Sequence, residues 1–505
     1  MTENIDTQDI APTDPTDKAD NQLAMNQDLS RLGRKSLAYV IGYLATRAVS
    51  FLLLPLYTNA LVPEDMGILS LAFAFSAFGL VFYRLGLDSA LLRYYVGEAK
   101  ERQREVFTTV YLILVVTGLV LSGLVLIFRS PLATSLLGTN HPEWIAILAA
   151  IMFFDTLWAI PMHLFRADER PLPYITLSLV NVFITMGLNI LLVAHYRMGV
   201  EGALLANLAA SATLFLVTLI SIVRRLSLTT VSTETARRLL RFGLPLLLAG
   251  LFTVTLELAD RYLLRWLSDL ETVGIYSAGY KLGMLMLITV MGFNMGWQPF
   301  FLRRGKQEGA QPVFARVTTY MVAIMATLLI ITGAWVDDLV RLPLGPITIF
   351  GPDYWSSTGI VPIVMLAYLF FGLYVLLLPG IHLSARTHWV ILFRGTGAIL
   401  NVGLNLFLIP AWGAMGAALS TCIGFGAMAL VTFFIVKHIY PVRYEWSRLA
   451  RIALLLALGF VILYGLPPSW WRNLALTILF PAGLWITRVV SLDERDLFRQ
   501  FLGRA

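Results

Sequence analysis

Apolar runs of about twenty residues, the length a helix needs to cross a hydrocarbon core about 30 Å thick, recur along this chain from Ser36 to Val490 with little room between them. Lipid offers the peptide groups no hydrogen bonds, so such runs must become helices that satisfy their own backbones. A water-soluble domain has nowhere to sit. Composition agrees, with 58% hydrophobic and only 14% charged residues. The expected class is therefore an all-α, polytopic membrane protein. The first thirty residues are polar, acidic and free of aromatics. They lack the basic start and apolar centre of a signal peptide, and are expected to form a disordered cytoplasmic tail.

Polar and Pro/Gly breaks divide the rest into fourteen expected spans: 36–60, 67–87, 106–128, 143–165, 174–194, 201–223, 242–264, 273–298, 315–338, 359–381, 390–410, 413–436, 449–466 and 471–490. Basic loops stay cytoplasmic. Of the 38 Lys and Arg, 28 fall in the tails and loops of one side, while the other side holds only Arg129, Arg197, Arg265, Arg341 and Arg472. Both termini are thus expected in the cytoplasm. The same asymmetry accounts for the formal charge of +7 without any nucleic-acid partner. The one cysteine, Cys422, lies in an apolar stretch, which leaves no disulfide framework. His163 and His195 lie near span ends, and no His/Cys/carboxylate spacing points to a metal.

The chain repeats itself. Pro63-Glu64-Asp65-Met66-Gly67-Ile68-Leu69-Ser70 recurs as Leu270-Glu271-Thr272-Val273-Gly274-Ile275-Tyr276-Ser277, with Glu, Gly, Ile and Ser in register. Leu188-Asn189-Ile190-Leu191-Leu192 and Gly199-Val200-Glu201-Gly202-Ala203 are echoed by Leu404-Asn405-Leu406-Phe407-Leu408 and Gly413-Ala414-Met415-Gly416-Ala417. The first pair lies at spans 1–2 and 7–8, the second at 5–6 and 11–12. Six spans repeat as a unit, and an even unit gives two lobes of the same orientation, as in transporters built of parallel repeats. The expected organisation is a tail (1–30), an N-lobe (31–225), a C-lobe (226–440) and two additional spans with the C-terminus (441–505).

Particular residues carry a family resemblance. They are Arg34-Lys35-Ser36 with Arg47 inside span 1, Leu61 through Gly67 in the first outer loop, and Leu92-Arg93-Tyr94-Tyr95 after span 2. Gly243-Leu244-Pro245, Asp260-Arg261-Tyr262 and Gly274-Ile275-Tyr276-Ser277 follow in order. Over residues 30–440 the chain resembles the polysaccharide (O-antigen type) flippases of the multidrug/oligosaccharidyl-lipid/polysaccharide exporter superfamily. The resemblance implies an inner-membrane flippase that turns a polyprenyl-pyrophosphate-linked oligosaccharide to the outer leaflet by alternating access, for O-antigen, lipopolysaccharide or exopolysaccharide export. It further implies H⁺ or Na⁺ coupling in place of a bound cofactor, and partnership with a polysaccharide polymerase and a chain-length regulator.

Five basic residues fall inside spans: Arg47, Arg84, Arg261, Lys281 and Arg394. Charges at membrane depth are functional candidates unless they reach the interface. Arg84 and Arg394 lie near span ends and are expected to snorkel. Arg47, Arg261 and Lys281 are the candidate substrate-binding cations, because a pyrophosphate entering a low-dielectric chamber needs compensating charge. Each has a structural alternative. Asp155 is an acid for Arg47 to pair with, Glu257 and Asp260 are within reach of Arg261, and Asp260 is within reach of Lys281. Asp155, mid-span, is equally a coupling candidate. Pro55 and Pro245, in corresponding spans 1 and 7, are candidate bending points.

Lipid II flipping and drug/cation antiport are the competing transport readings. The excess of deep cations over acids argues against a lumen for cationic drugs. A membrane-embedded glycan polymerase or ligase is the alternative from another class, but such enzymes need a large outer loop bearing catalytic groups. The longest outer segment, 339–358, has only Arg341 and Asp353 as charged groups.

Overall fold

In the computed structural model, which describes residues 51–168, 170–305 and 307–489, the apolar runs are helices. Eleven are long and apolar enough to cross a membrane: Pro63–Arg84, Lys100–Ile127, Pro142–Ala167, Pro171–His195, Gly199–Val223, Thr233–Leu267, Leu270–Arg304, Ala310–Val340, Pro352–Leu383, Trp389–Ile439 and Trp446–Gly465. The 51-residue member holds two spans that meet at Gly413, where φ is 52° and ψ −128°. Its two limbs pack on one another, and Asn401 Nδ2 donates to Thr421 Oγ1 at 3.2 Å. With Phe51–Ala60, the described part of the expected first span, and Trp470–Ile486 at the end, the described helices fall where the fourteen spans were expected. Spans are numbered 1 to 14 in this order, 11 and 12 being residues 389–412 and 414–439.

Local chemistry starts these helices. Proline occupies the first turn of spans 2, 4 and 5, where its missing N–H costs nothing. Ser232, Asp269 and Ser469 cap spans 7, 8 and 14 by accepting from Thr235, Thr272 and Arg472 backbone N–H groups. Large apolar side chains such as Phe183, Phe407 and Leu454 point outward, as lipid requires. Tyrosines, among them Tyr276, Tyr280, Tyr354, Tyr368 and Tyr374, are buried inside.

The second sequence repeat marks the equivalent turns between spans 5–6 and 11–12. Gly199 and Gly413 both have left-handed backbones, at φ 58° and 52°, which glycine adopts without a Cβ penalty. Spans 13 and 14 pack on span 9, where Asn473 Nδ2 donates to Asp338 Oδ2 at 2.9 Å and Trp335 Nε1 to Thr477 Oγ1 at 2.8 Å. Between span 13 and spans 10 and 12 runs an apolar groove of about 690 Å³, walled by Phe370, Leu373, Phe433 and Leu456.

Two connections have structure that the periodicity did not foretell. The segment after span 2 contains a short helix, Leu87–Tyr95. The segment before span 10 contains a hairpin pairing Pro343–Leu344 with Ile347–Thr348, and span 10 itself opens with the 3₁₀ turn Pro352–Ile360. Asn59 at the end of span 1 donates its Nδ2 to Thr348 O at 2.8 Å, so the hairpin ties the two lobes together at the basic-poor end.

Candidate functional site

The first repeat meets itself at the junction between lobes. Span 2 lies against span 8, and Gly67 and Gly274 bring their backbones together. A Cβ on Gly67 would stand 2.2 Å from Leu270 O, and one on Gly274 would stand 1.9 Å from Pro63 O. Small residues permit such approach between helices in lipid. The contact is reciprocal, each lobe offering the other the same patch, as across a two-fold axis. Ser70 Oγ and Ser277 Oγ sit 2.6 Å apart, one turn further on. Tyr262 OH donates to Leu71 O at 3.1 Å and Tyr354 OH to Leu61 O at 3.0 Å, both from C-lobe to N-lobe. The basic-poor end of the seam is therefore shut.

Deeper in the C-lobe lies a buried polar centre. Asp260 is 0% and Arg261 5% exposed. Arg261 Nη1 donates to Asp260 Oδ1 at 2.9 Å and to the Glu257 carbonyl at 2.7 Å. Tyr276 OH donates a short bond to Asp260 Oδ2, and Thr421 Oγ1 reaches the same oxygen at 3.4 Å. The guanidinium also stands over the Tyr280 ring, 4.6 Å from its centroid, and Tyr280 accepts from Tyr368 OH at 3.1 Å. An acid and a base out of water need this many partners, because their desolvation is otherwise uncompensated. The helix-adjacent Glu257 serves Arg261 through its backbone carbonyl, and Asp260 supplies the bonding carboxylate.

Lys281 follows Tyr280 on span 8 and points elsewhere. Its Nζ stands over Tyr57 of span 1, 5.5 Å from the ring centroid, so a C-lobe cation faces an N-lobe aromatic across the seam. Tyr57 is fixed by donating to Asn189 Oδ1 of span 5 at 2.7 Å. Among the described residues, none forms an ion pair or hydrogen bond with Lys281, and Asp260 is engaged by Arg261, Tyr276 and Thr421. Arg47 lies outside the described residues.

Asp155, in the N-lobe, accepts from Ser211 Oγ at 2.6 Å and Trp158 Nε1 at 2.8 Å. The two arginines expected to snorkel, Arg84 and Arg394, are both partly exposed. Arg394 Nη1 donates to Thr253 Oγ1 of span 7 at 2.8 Å, and Arg84 keeps its Nε buried with no hydrogen bond.

Sequence reasoning singled out Asp260, Arg261 and Lys281 but not Tyr57, Asn189, Tyr280 or Tyr368. Tyr276-x-x-x-Tyr280-Lys281 was a usable signal, since hydroxyls at membrane depth require partners.

The family model described as polysaccharide biosynthesis protein matches residues 32–303. A relative from Haemophilus influenzae, described as an uncharacterized membrane protein, is 23% identical over 280 residues, which span 54% of this chain and 66% of that protein. Among solved structures, the lipid II flippase MurJ in an inward closed conformation superposes with a TM-score of 0.72 at 16% identity, covering 91% of this chain and 99% of its own. An inward-facing multidrug resistance MATE family transporter of the MOP superfamily gives 0.63 at 15% identity, covering 78% and 94%. The fold is that of these transporters.

Proposed function

The chain belongs to the polysaccharide biosynthesis protein family, and from this premise we propose that it is a flippase for a polyprenyl-pyrophosphate-linked oligosaccharide. The reading places the protein in the bacterial inner membrane with both termini in the cytoplasm, so the basic-poor end faces outward. The lobes then close the outward end in this structure, and transport requires that seam to part. The cargo's anionic link would travel between the lobes while its polyprenyl tail stays in lipid. No covalent bond of the cargo is made or broken.

The observation that carries the proposal is Lys281, a cation at the seam that no acid among the described residues consumes. A diphosphate drawn from the headgroup layer loses hydration, and a lysine facing the lobe junction offsets that loss. Arg47 is proposed to share this task. Arg261 acts through the Asp260 pair and the Tyr280 face, which hold the helix that carries Lys281. Asp155, held by Ser211 and Trp158, is the proposed H⁺ or Na⁺ coupling residue. A polymerase and chain-length regulator for O-antigen or exopolysaccharide would take up the delivered cargo.

The test is flipping of a fluorescent oligosaccharide-diphosphate-polyprenol in proteoliposomes. Lys281→Gln is expected to lower the rate at least about tenfold, one charge-assisted contact being worth about 1.5–3 kcal/mol, with no change in thermal midpoint. Equal rates for wild type and Lys281→Gln would remove the cation from the mechanism. Transport of cationic drugs, without transport of the diphosphate lipid, would replace the cargo.

A further inference from the structure

A separate cavity of about 440 Å³ opens at the basic-rich end of the N-lobe. Three connections build it. The first two turns of span 3 supply Lys100 and Arg104, the connection between spans 4 and 5 supplies Arg170, and the end of span 6 supplies Arg224. All four side chains are exposed and, among the described residues, form no ion pair. The wall behind them is fixed. Arg225 donates to Tyr95 OH at 2.7 Å and to Asp168 Oδ2 at 2.8 Å, and Gln103 Nε2 donates to Tyr95 O at 3.2 Å. That arrangement consumes the one acid among the lining residues.

Basic loops are ordinary on a cytoplasmic face, and they need only be solvated. Here four cations, unpaired among the described residues, converge on a concave site, where their mutual repulsion is a standing cost that a polyanion would remove. The backbone adds to the field. Span 3 starts at Lys100 after Ala99, and span 5 starts at Pro171 after Arg170; neither has a side-chain cap. Span 3 thus directs free first-turn N–H groups and the positive end of its dipole toward this region, while span 5, with prolines at 171 and 173, adds chiefly its dipole. The floor is Phe107, 1% exposed and one residue into the apolar part of span 3, which sets the site at the depth of lipid headgroups.

We propose that this cavity is a phosphate or diphosphate binding site, distinct from the seam that holds Lys281. The group it takes belongs either to an anionic lipid headgroup or to a soluble phosphate compound. The assignment does not depend on flipping, and binding alone tests it.

The full chain, purified in detergent, is titrated with phosphatidylglycerol and, separately, with inorganic pyrophosphate, and native mass spectrometry reads the bound fraction. The pocket variant carries Lys100→Gln, Arg104→Gln, Arg170→Gln and Arg224→Gln. A control variant carries Arg303→Gln, Arg386→Gln, Lys437→Gln and Arg443→Gln, the same number of charges from the basic end of the C-lobe and the connection that follows it. The pocket variant is expected to bind at least about tenfold more weakly, since each basic residue near a headgroup contributes about a factor of five, while the control matches wild type. Retained phosphatidylglycerol that pyrophosphate does not displace assigns the lipid source, and tight pyrophosphate binding without lipid retention assigns the soluble one. Equal binding by the pocket variant and wild type, or equal loss in the control, would overturn the proposal. Matching thermal midpoints exclude misfolding as the cause of a loss.

Discussion

Ser70 and Ser277 stand 207 positions apart in the chain and meet Oγ to Oγ at 2.6 Å. The same interval separates Gly67 from Gly274 and Pro63 from Leu270, whose contacts are reciprocal. A duplicated segment has thus folded so that its two copies touch, and the touching patch closes one end of the path between lobes. A hydroxyl pair of this kind contributes only about 1 kcal/mol. The duplicated patch thus fixes the register in which the two lobes meet.

Gly274→Val tests the close approach. Its Cβ would fall 1.9 Å from Pro63 O, and overpacking of this kind typically costs about 1–3 kcal/mol, paid only when the seam is shut. Expected are a roughly tenfold shift of population toward the parted state and faster maleimide labelling of a cysteine placed at Ser70. Labelling at the wild-type rate would show that the backbones need not meet.

The Asp260–Arg261 pair bears on stability. Asp260→Ala leaves a guanidinium that is 5% exposed without its acid, a loss worth about 3–5 kcal/mol. Tyr276→Phe removes one hydrogen bond to the same carboxylate and costs about 1–2 kcal/mol. Thermal unfolding in detergent should rank wild type above Tyr276→Phe and both above Asp260→Ala. A reversed order would mean that the pair, not its loss, is the burden.

Asp269, which caps span 8 beside the seam, gives a pH signature. Its Oδ1 accepts the Thr272 N–H at 2.7 Å, and that backbone bond holds the carboxyl below its ordinary value. A depressed acid stabilises the fold above its unfolded pKa of about 3.9 and loses that contribution as pH falls through the folded value. Asp269→Ala should cost about 1 kcal/mol uniformly between pH 5 and 8 (about one to four units above that pKa), and less below pH 4. Thermal midpoints of both proteins across that range check it, and a difference that grows on acidification would contradict the sign.

The helices and the repeat were legible in the sequence because lipid imposes one length and one hydrogen-bonding solution on every crossing. Gly199 and Gly413 were legible as repeat marks for a backbone reason, the left-handed turn each must make. Asp260 beside Arg261 was visible as a pair, but Tyr276, Tyr280, Tyr368 and Thr421 come from three other spans. Their convergence depends on helix rotation, which a nearly uniform apolar pattern does not encode. Arg394 shows the same limit: its place along the span was legible, and only packing reveals that Thr253 accepts from it. Asn189 was seen as part of a repeat, not as the anchor of Tyr57.

The most direct measurement links the seam to transport. Ser70→Cys and Ser277→Cys are introduced together in a Cys422→Ser background, cross-linking is quantified by intact mass, and diphosphate-lipid flipping is followed in proteoliposomes. Alternating access through this seam predicts that the oxidised protein does not flip and that reduction restores the rate. Fully cross-linked protein that flips as fast as the reduced form would contradict it.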